Sequence, residues 1–560
     1  MDNYAIAENF SLLSKLMDIH GDNSFKARIY GAAAFNIEKL PALLSDTPAE
    51  KIASIKGIGE STAKKIAEML ETGKLGILTE YIEKTPPGVI EMLNIKGIGP
   101  KKIQTIWKEM GIESVGELLY ACNENRLTLY KGFGEKTQKN VQESIEFYQS
   151  QQGHFLYAEA EVIFPQIDAY LKKIFSPDKV HITGAYRRQA LTIEEMEFVV
   201  LEENDAVKPK FATAQPPELL EEKEDTILYK LKNGLKLRLH TGKGKMDERL
   251  FNTSASEEFL MAFKKNFPAV KFTGITTNDD SVFAAAKIPV IPPCMREKEF
   301  SIELARTNKL PELIQPGDVK AIIHSHSKWS DGVNTLEEMA EECIRRGFEY
   351  LVISDHSKAA AYANGLTEER IREQHRQVDS LNEEYKPFKI FKSIECDILG
   401  DGSMDYSNNI LSTFDLVIAS VHSNLKMTEE KAMMRLLRAI ENPYTTILGH
   451  MTGRLLLSRN GYPVDHNKII DACAANHVVI ELNAHPRRLD IDWKFIDYAL
   501  EKGVLISIDP DAHALEGYDD IKYGVLAAQK AGLTKEQNLS SFSLATFENF
   551  LAEGKKKKKI

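Results

Sequence analysis

Histidines and carboxylates recur at one kind of position in the C-terminal part of this sequence: His324-Ser-His326, Asp331, Asp355-His356, Glu395, His422, His450 and Asp511-Ala-His513. Most of them close a short apolar run, as in AIIHSH, YLVISDH, LVIASVH, TTILGH and GVLISIDPDAH. Each run predicts a buried strand that ends in a loop. Parallel strands presenting such side chains at one end describe the mouth of a barrel, where barrels of this kind carry their chemistry. Nitrogen and oxygen donors with no Cys among them suit Zn, Mn or Fe. A lone H-x-H pair is most often structural, but satisfied core histidines would not repeat this placement at so many strand ends. The pattern predicts a multinuclear metal centre.

At 560 residues the chain is too long for a single core, and three or four domains are expected. A composition of 43% hydrophobic and 27% charged residues is globular. No apolar run reaches about 18 residues, so no membrane span is expected. The opening MDNYAIAENFSLLSKL reads as an amphipathic helix rather than a signal peptide. Cys122, Cys294, Cys343, Cys396 and Cys473 show no paired spacing, which predicts a reducing, cytoplasmic setting without disulfides. The net charge of −11 argues against a protein coated in nucleic acid, yet leaves room for a local basic surface.

Such a surface is predicted near the N-terminus. SIKGIGESTAKKIAEML (54–70), NIKGIGPKKIQTIWKEM (94–110) and the weaker LYKGFGEKTQKNVQESI (129–145) repeat one pattern: short helix, G-x-G turn, helix with Lys near its start. The pairs Gly57/Gly59, Gly97/Gly99 and Gly132/Gly134 allow positive φ and close approach of another backbone. Amides at the following helix start form a phosphate site, with Lys64, Lys65, Lys101 and Lys102 beside it. The repeats resemble the helix-hairpin-helix motif, which grips nucleic-acid backbones without reading sequence. The bland alternative is a packing turn between helices.

Residues 10–40 resemble the opening of the small N-terminal domain of bacterial family X DNA polymerases. Leu12-Leu13, Gly21, Asn23 and Phe25, then Arg28, Tyr30, Ala32 and Ala33, carry the likeness. It continues over almost the whole chain and implies a multidomain architecture. Helical 8-kDa-like and fingers segments with helix-hairpin-helix motifs would occupy 1–150, and an α+β palm and thumb 151–305. A linker over 306–318, marked by Pro311 and Pro316, would lead into an α/β PHP (polymerase and histidinol phosphatase) domain over 319–553, a distorted (β/α)7-type barrel. GKKKKKI (554–560) reads as a disordered basic tail.

The palm departs from the family pattern at every key point. That pattern is G-S-x-R-R, six residues ending in Gly, then D-x-D on a strand, with a third Asp next door. Two carboxylates at i and i+2 share one face and hold Mg²⁺ with the third. Here the turn is Gly184-Ala185-Tyr186-Arg187-Arg188, the Gly is Glu194, the paired Asp are Glu195 and Glu197, and the third position is Lys236. A Glu is about 1.5 Å longer than an Asp, and at about 4 Å a Lys repels a dication by several kcal/mol. The thumb turn Phe251-Asn252-Thr253-Ser254 is altered too. These changes argue against Mg²⁺ at the palm and favour a DNA-binding scaffold over a slow polymerase. Arg187 and Arg188 survive as candidate phosphate contacts.

The PHP likeness implies nine ligands for up to three ions: His324, His326, Asp331, His356, Glu395, His422, His450, Asp511 and His513. Glu395 would bridge, and Asp355 would orient His356 or cap a following helix. Arg454, Arg459, Arg487 and Arg488 follow predicted strand ends and are candidates to receive a phosphate. Glu395, His450 and Arg454 are the catalytic candidates. Such a centre suits phosphoester hydrolysis, so the resemblance implies a DNA repair protein with 3′–5′ exonuclease, 3′-end or abasic-site activity. DNA is the expected partner, through its backbone at 3′ ends, gaps or nicks. The alternatives are a gap-filling polymerase with an editing nuclease, a non-catalytic DNA-binding scaffold, and a small-molecule phosphatase, which would leave the DNA-binding front unexplained.

Overall fold

The computed structural model describes residues 1–123, 126–151, 153–212, 216–232, 234–272, 278–457 and 460–560. It divides into two compact units, Met1–Gln152 and Gly153–Ile560.

The first unit is helical. Asn3–His20 is capped by the Asp2 carboxylate and ends on Gly21 in the left-handed region. It packs on Ser24–Glu38 through Phe10, Leu13 and Ala33, all fully buried. All three G-x-G turns form. Gly57, Gly97 and Gly132 have φ of 88°, 89° and 91°, and the helices Glu60–Thr72, Pro100–Gln104 and Glu135–Gln151 follow. The turns are not equivalent. A Cβ on Gly57 would lie 2.1 Å from the Asn36 amide nitrogen, whereas a Cβ on Gly97 or Gly132 would meet nothing within 4 Å. Asn36 therefore covers the first turn, and the second and third stand open.

The second glycine of each pair departs from expectation. Gly59, Gly99 and Gly134 do not take positive φ. Gly59 and Gly99 are extended, with φ of −85° and −92°, at the N-caps of the helices they precede. The reason is the helix start itself. An N-cap residue stays extended while its carbonyl accepts the first helical bond. The Ala63, Ile103 and Gln138 amides donate to the Gly59, Gly99 and Gly134 carbonyls at 2.9, 3.0 and 3.0 Å. A Cβ on Gly59, Gly99 or Gly134 would meet nothing within 4 Å, so no close approach within the chain demands glycine there. Only the first glycine of each pair is required by its backbone conformation.

The second unit holds the palm, thumb and barrel together. The palm sheet consists of β1 (Val180–Thr183), β2 (Glu195–Val200), β3 (Glu218–Lys223), β4 (Thr226–Lys230) and β5 (Lys236–Thr241), in the order β1-β2-β5-β4-β3. β2 and β5 are parallel, with Glu195 beside Lys236 and Glu197 beside Arg238. The helix Tyr157–Phe175 precedes this sheet. The thumb packs separately around Phe251, Phe259 and Phe283. Segment 306–318 is no free linker. Leu310 and Leu313 pack on the thumb core, Ile314 enters the barrel core, and the Ile314 amide donates to the Leu533 carbonyl at 3.0 Å.

Eight strands build the barrel: β6 (Ala321–Ile322), β7 (Tyr350–Ile353), β8 (Lys389–Lys392), β9 (Glu395–Asp397), β10 (Ile418–Ser420), β11 (Ile447–Leu448), β12 (Val479–Asn483) and β13 (Ile506–Asp509). All pairings are parallel, as β8-β7-β6 and β9-β10-β11-β12-β13. Parallel bridges His356↔Glu395 and Ser325↔Ala512 close the ring. β8 and β9 are two stretches of one staggered strand, so the barrel has seven staves. Side chains alternate as a pleat demands: Ala321, Val352, Ile418, Ile447 and Val479 fill the interior, while Ile322, Leu351, Ala419, Leu448 and Ile480 face the surrounding helices. The tail expected to be disordered is helical. Leu544–Lys558 forms one helix whose Phe547 and Leu551 plug the bottom of the barrel.

A buried ion network joins the palm turn to the thumb. Arg187 pairs with Asp279, Nη2 to Oδ1 at 2.9 Å, and donates to Ser254 Oγ at 2.6 Å. Asp279 also takes Arg296, and both are 1% exposed. Removing the acid strands Arg296 in apolar surroundings. Asp279→Ala is expected to cost about 3–5 kcal/mol, read as a fall in urea midpoint; an unchanged midpoint would show that the network is dispensable.

Candidate metal centre

The open end of the barrel gathers all nine predicted ligands. His324 and His326 follow β6, His356 follows β7, Glu395 begins β9, His422 follows β10, His450 follows β11, and Asp511 and His513 follow β13. Asp331 comes from the loop after His326. Glu395 is the hub: His356 Nδ1 lies 2.9 Å, His422 Nε2 3.0 Å, His450 Nε2 2.9 Å and His324 Nε2 3.3 Å from its oxygens. His326 Nε2 stands 3.1 Å from Asp511 Oδ1, and His513 Nε2 3.4 Å from Asp331 Oδ2. Three adjoining groups have donor atoms within 4.8 Å of one another: His326/Asp331/His356/His513, His324/His326/Asp511 and His356/Glu395/His422.

The donor set fits cations. Glu395 Oε2 and His324 Nε2 are buried without a hydrogen bond, a costly arrangement unless something coordinates them. Burial opposes charge on His324, but Glu481, Asp511 and Glu395 overcome it and push its pKa well above the ordinary value. Burial likewise works against ionising Glu395, but the charges of His422, His324 and His356 hold its pKa well below the carboxylate range. This cage of carboxylates draws positive charge inward. His324 and Asp511 also sit in the left-handed region, with φ of 61° and 51°. Strain of about 1–3 kcal/mol each is tolerated where geometry serves a site.

Around these groups lie residues that the strand-end reading missed. Glu481, fully buried on β12, meets His324 Nδ1 at 2.5 Å and accepts the His450 amide at 3.1 Å. Asp397 meets His422 Nδ1 at 3.2 Å, and Asn483 donates to Asp511 Oδ2 at 3.0 Å. Glu481 and Asn483 sit inside VVIELN, where an acid in an apolar strand two residues before an amide was the available signal. Asp355 neither orients His356 nor caps a helix. It takes the amides and hydroxyls of Ser327 and Ser330 and the Gln374 side chain, and so ties down the loop leading to Asp331.

Arg454 is not free for substrate. Its Nε donates to the Arg488 carbonyl at 3.0 Å and Nη1 to Asp492 at 2.6 Å, and Nη2 is bound to the Leu489 carbonyl. It clamps the loop that brings Arg488 Nε to 3.6 Å from Asp511 Oδ2. Arg487 reaches Glu159 at 3.3 Å. Arg459 lies outside the described residues.

Three parts of the chain match family models: a helix-hairpin-helix domain at residues 1–75, a SAM-like helix-hairpin-helix tandem at 89–146, and a PHP domain at 323–485. Over 571 aligned residues, 96% of both chains, the sequence is 32% identical to the DNA polymerase/3′–5′ exonuclease PolX of Bacillus subtilis. The chain belongs to the family X DNA polymerases with a C-terminal PHP domain. The barrel also aligns with a probable phosphatase of Thermoanaerobacter sp., 26% identical over 42% of this chain and 95% of that protein. A probable phosphatase of Syntrophotalea carbinolica is 25% identical over 41% of this chain and 94% of that one.

Within this PolX-type chain the palm face is closed by its own ion pairs. Arg238 holds Glu195 through two nitrogens, Nη2 to Oε1 at 2.9 Å, and reaches Glu221 at 3.2 Å. Lys236 Nζ donates to Glu194 at 2.7 Å, and His240 Nε2 lies 2.9 Å from Glu197. The Glu197 carboxylate folds onto the 184–185 turn, where the Ala185 amide donates to it at 3.3 Å. A Cβ on Gly184 would sit 2.0 Å from that carboxylate. Arg187 is not left for phosphate as expected, being held by Asp279 and Ser254, while Arg188 is engaged through its Nε by Glu297 at 3.2 Å.

Glu481→Gln keeps the shape but removes the charge that fixes the His324 ring. Zn²⁺ or Mn²⁺ affinity is expected to fall about 10–100-fold, measured by competition with a chromogenic chelator; unaltered affinity would leave Glu481 a packing residue.

Proposed function

We propose that this chain is a DNA repair enzyme whose PHP barrel hydrolyses phosphoesters at DNA 3′ ends, as a 3′–5′ exonuclease or a 3′-end or abasic-site processing activity. Its palm serves as a scaffold. The complete nine-residue donor set carries the reading. The name of the B. subtilis relative, an exonuclease as well as a polymerase, and the phosphatase relatives of the barrel support it.

His324, His326, Asp331, His356, Glu395, His422, His450, Asp511 and His513 would hold up to three ions of Zn, Mn or Fe. Such ions, when bound, polarise phosphoryl oxygens and lower the pKa of water. Glu395, meeting several imidazoles at once, fixes the spacing between the sites. His450 holds Glu395 in place through Nε2. Arg488 reaches the centre from a loop that Arg454 keeps rigid, and its guanidinium suits a phosphate oxygen. Arg454 therefore positions Arg488 rather than touching substrate.

His324→Ala is expected to abolish degradation of a labelled primer 3′ end while leaving DNA affinity within about twofold. Persistent degradation in that variant would end the nuclease assignment.

Polymerase activity is the second reading, resting on the same relative's name. The carboxylates that could hold Mg²⁺ in the palm are instead engaged by the basic side chains Lys236, Arg238 and His240. With dNTPs and Mg²⁺ or Mn²⁺, a labelled primer–template is expected to shorten and not lengthen; templated extension would restore the polymerase.

DNA reaches the enzyme through the helix-hairpin-helix turns, whose phosphate contacts are independent of sequence. Gly59, Gly99 and Gly134 contribute there as unobstructed helix starts rather than as left-handed residues. Lys101 and Lys102 flank an uncovered turn, and Lys64 follows the one Asn36 covers. Replacing Lys101 and Lys102 by Ala is expected to reduce the slope of log affinity against log salt by about two, and replacing Lys64 by less than about one. Equal slopes in all variants would remove these lysines from the interface.

A further inference from the structure

The plug helix Leu544–Lys558 leaves a cavity of about 260 Å³ at the closed end of the barrel, opposite the metal centre. Its walls are the turns that precede β10, β11, β12 and β13, with Phe414, Val417, Tyr444, Val478, Val504 and Phe550 as apolar lining. Three lysines of the plug helix, Lys555, Lys557 and Lys558, stand on its rim.

Two of those ammonium groups turn inward. Lys555 Nζ donates to the Phe414 carbonyl at 3.1 Å, and Lys558 Nζ donates to the Thr445 carbonyl. Neither has a carboxylate partner among the described residues. The wall acid Asp415 is occupied, accepting the Lys392 amide at 2.8 Å, and Glu553 is exposed. Burial lowers the Lys558 pKa to about 8, and Cys473 is the single group opposing that shift. Both ammonium groups are half-buried on the rim and meet only neutral carbonyls there, so an anion in the cavity would be their first countercharge. Apolar side chains make up the larger share of the adjoining walls, which suits a ligand with an apolar body and one polar end.

We propose that this cavity binds a small, free amphipathic anion, an alkyl or aryl carboxylate. The apolar body would fill the space between Val504, Val478 and Phe550, and the carboxylate would meet Lys558 and Lys555. The site is independent of the metal centre and of the function proposed for it.

Sodium octanoate titrated into the full chain by calorimetry is the probe, with 1-octanol as its uncharged counterpart. Octanoate is expected to bind one site, and octanol at least about tenfold more weakly, because only the anion meets the ammonium groups. Lys558→Met, which keeps the apolar stem, and Val504→Phe, which fills the space, are each expected to weaken octanoate by at least about tenfold. Metal content and 3′-end degradation should remain unchanged in both. Equal binding of octanoate and octanol, undiminished binding in Lys558→Met, or no binding at millimolar octanoate would each overturn the proposal. So would sedimentation of the protein with phosphatidylglycerol vesicles at octanoate-competable affinity, which would assign the lysines to a membrane surface. Should Val504→Phe fail to fold, Lys558→Met decides alone.

Discussion

Everything at the open end of the barrel turns on one buried carboxylate. Glu395 has no access to water, and its oxygens lie within 3.3 Å of His324, His356, His422 and His450. A charge removed from water is tolerated only where countercharge and hydrogen bonds surround it. Here imidazoles from four different strand ends must converge to within a few tenths of an ångström. Only a closed barrel delivers that. The bridges His356↔Glu395 and Ser325↔Ala512 join the staves at the residues where the donors emerge, so closing the ring and assembling the centre are one event.

The outer groups make the same point. Glu481 and Asp397 fix imidazole rings from behind, Asp355 ties the loop that carries Asp331, and Arg454 ties the loop that carries Arg488. None of these four points at a shared centre, yet each restrains a group that does. Such supporting contacts set ring orientation and donor strength.

The palm shows the opposite economy. Carboxylates gathered on one face repel one another unless hydrogen bonds and opposite charges offset them. Lys236, Arg238 and His240, at alternate positions of β5, engage Glu194, Glu195 and Glu197. The thumb locks to this part of the palm through Asp279, which pairs with Arg187 of the palm turn. Packing between palm, thumb and barrel keeps the second unit whole even though its palm does no chemistry in the reading proposed above.

The strand-end donors, the G-x-G repeats and the altered palm signature were legible in the sequence because each is local. An apolar run ending in His, a Gly pair before a basic helix, or Glu in place of Asp reveals itself within about ten residues. The seven-stave count was implied by the family resemblance; the apolar runs by themselves pointed only to strand ends at a barrel mouth. What depended on conformation or distance was not legible. The two glycines of each hairpin pair look interchangeable, yet Gly57, Gly97 and Gly132 make the left-handed turn while Gly59, Gly99 and Gly134 open the next helix. Arg187 and Arg454 look free in sequence, since an arginine's partner lies wherever the fold puts it; here Asp279 and Asp492 take them. The lysine tail reads as solvated until Phe547 and Leu551, several residues upstream, anchor its helix in the barrel floor. Asn36 covers one hairpin turn of three, although the three motifs look alike. The sequence alone determined which residues could bind metal and phosphate. Tertiary structure decided which of them remain available, because a charged side chain is committed by its nearest opposite charge in space, and that neighbour is rarely near it in the chain.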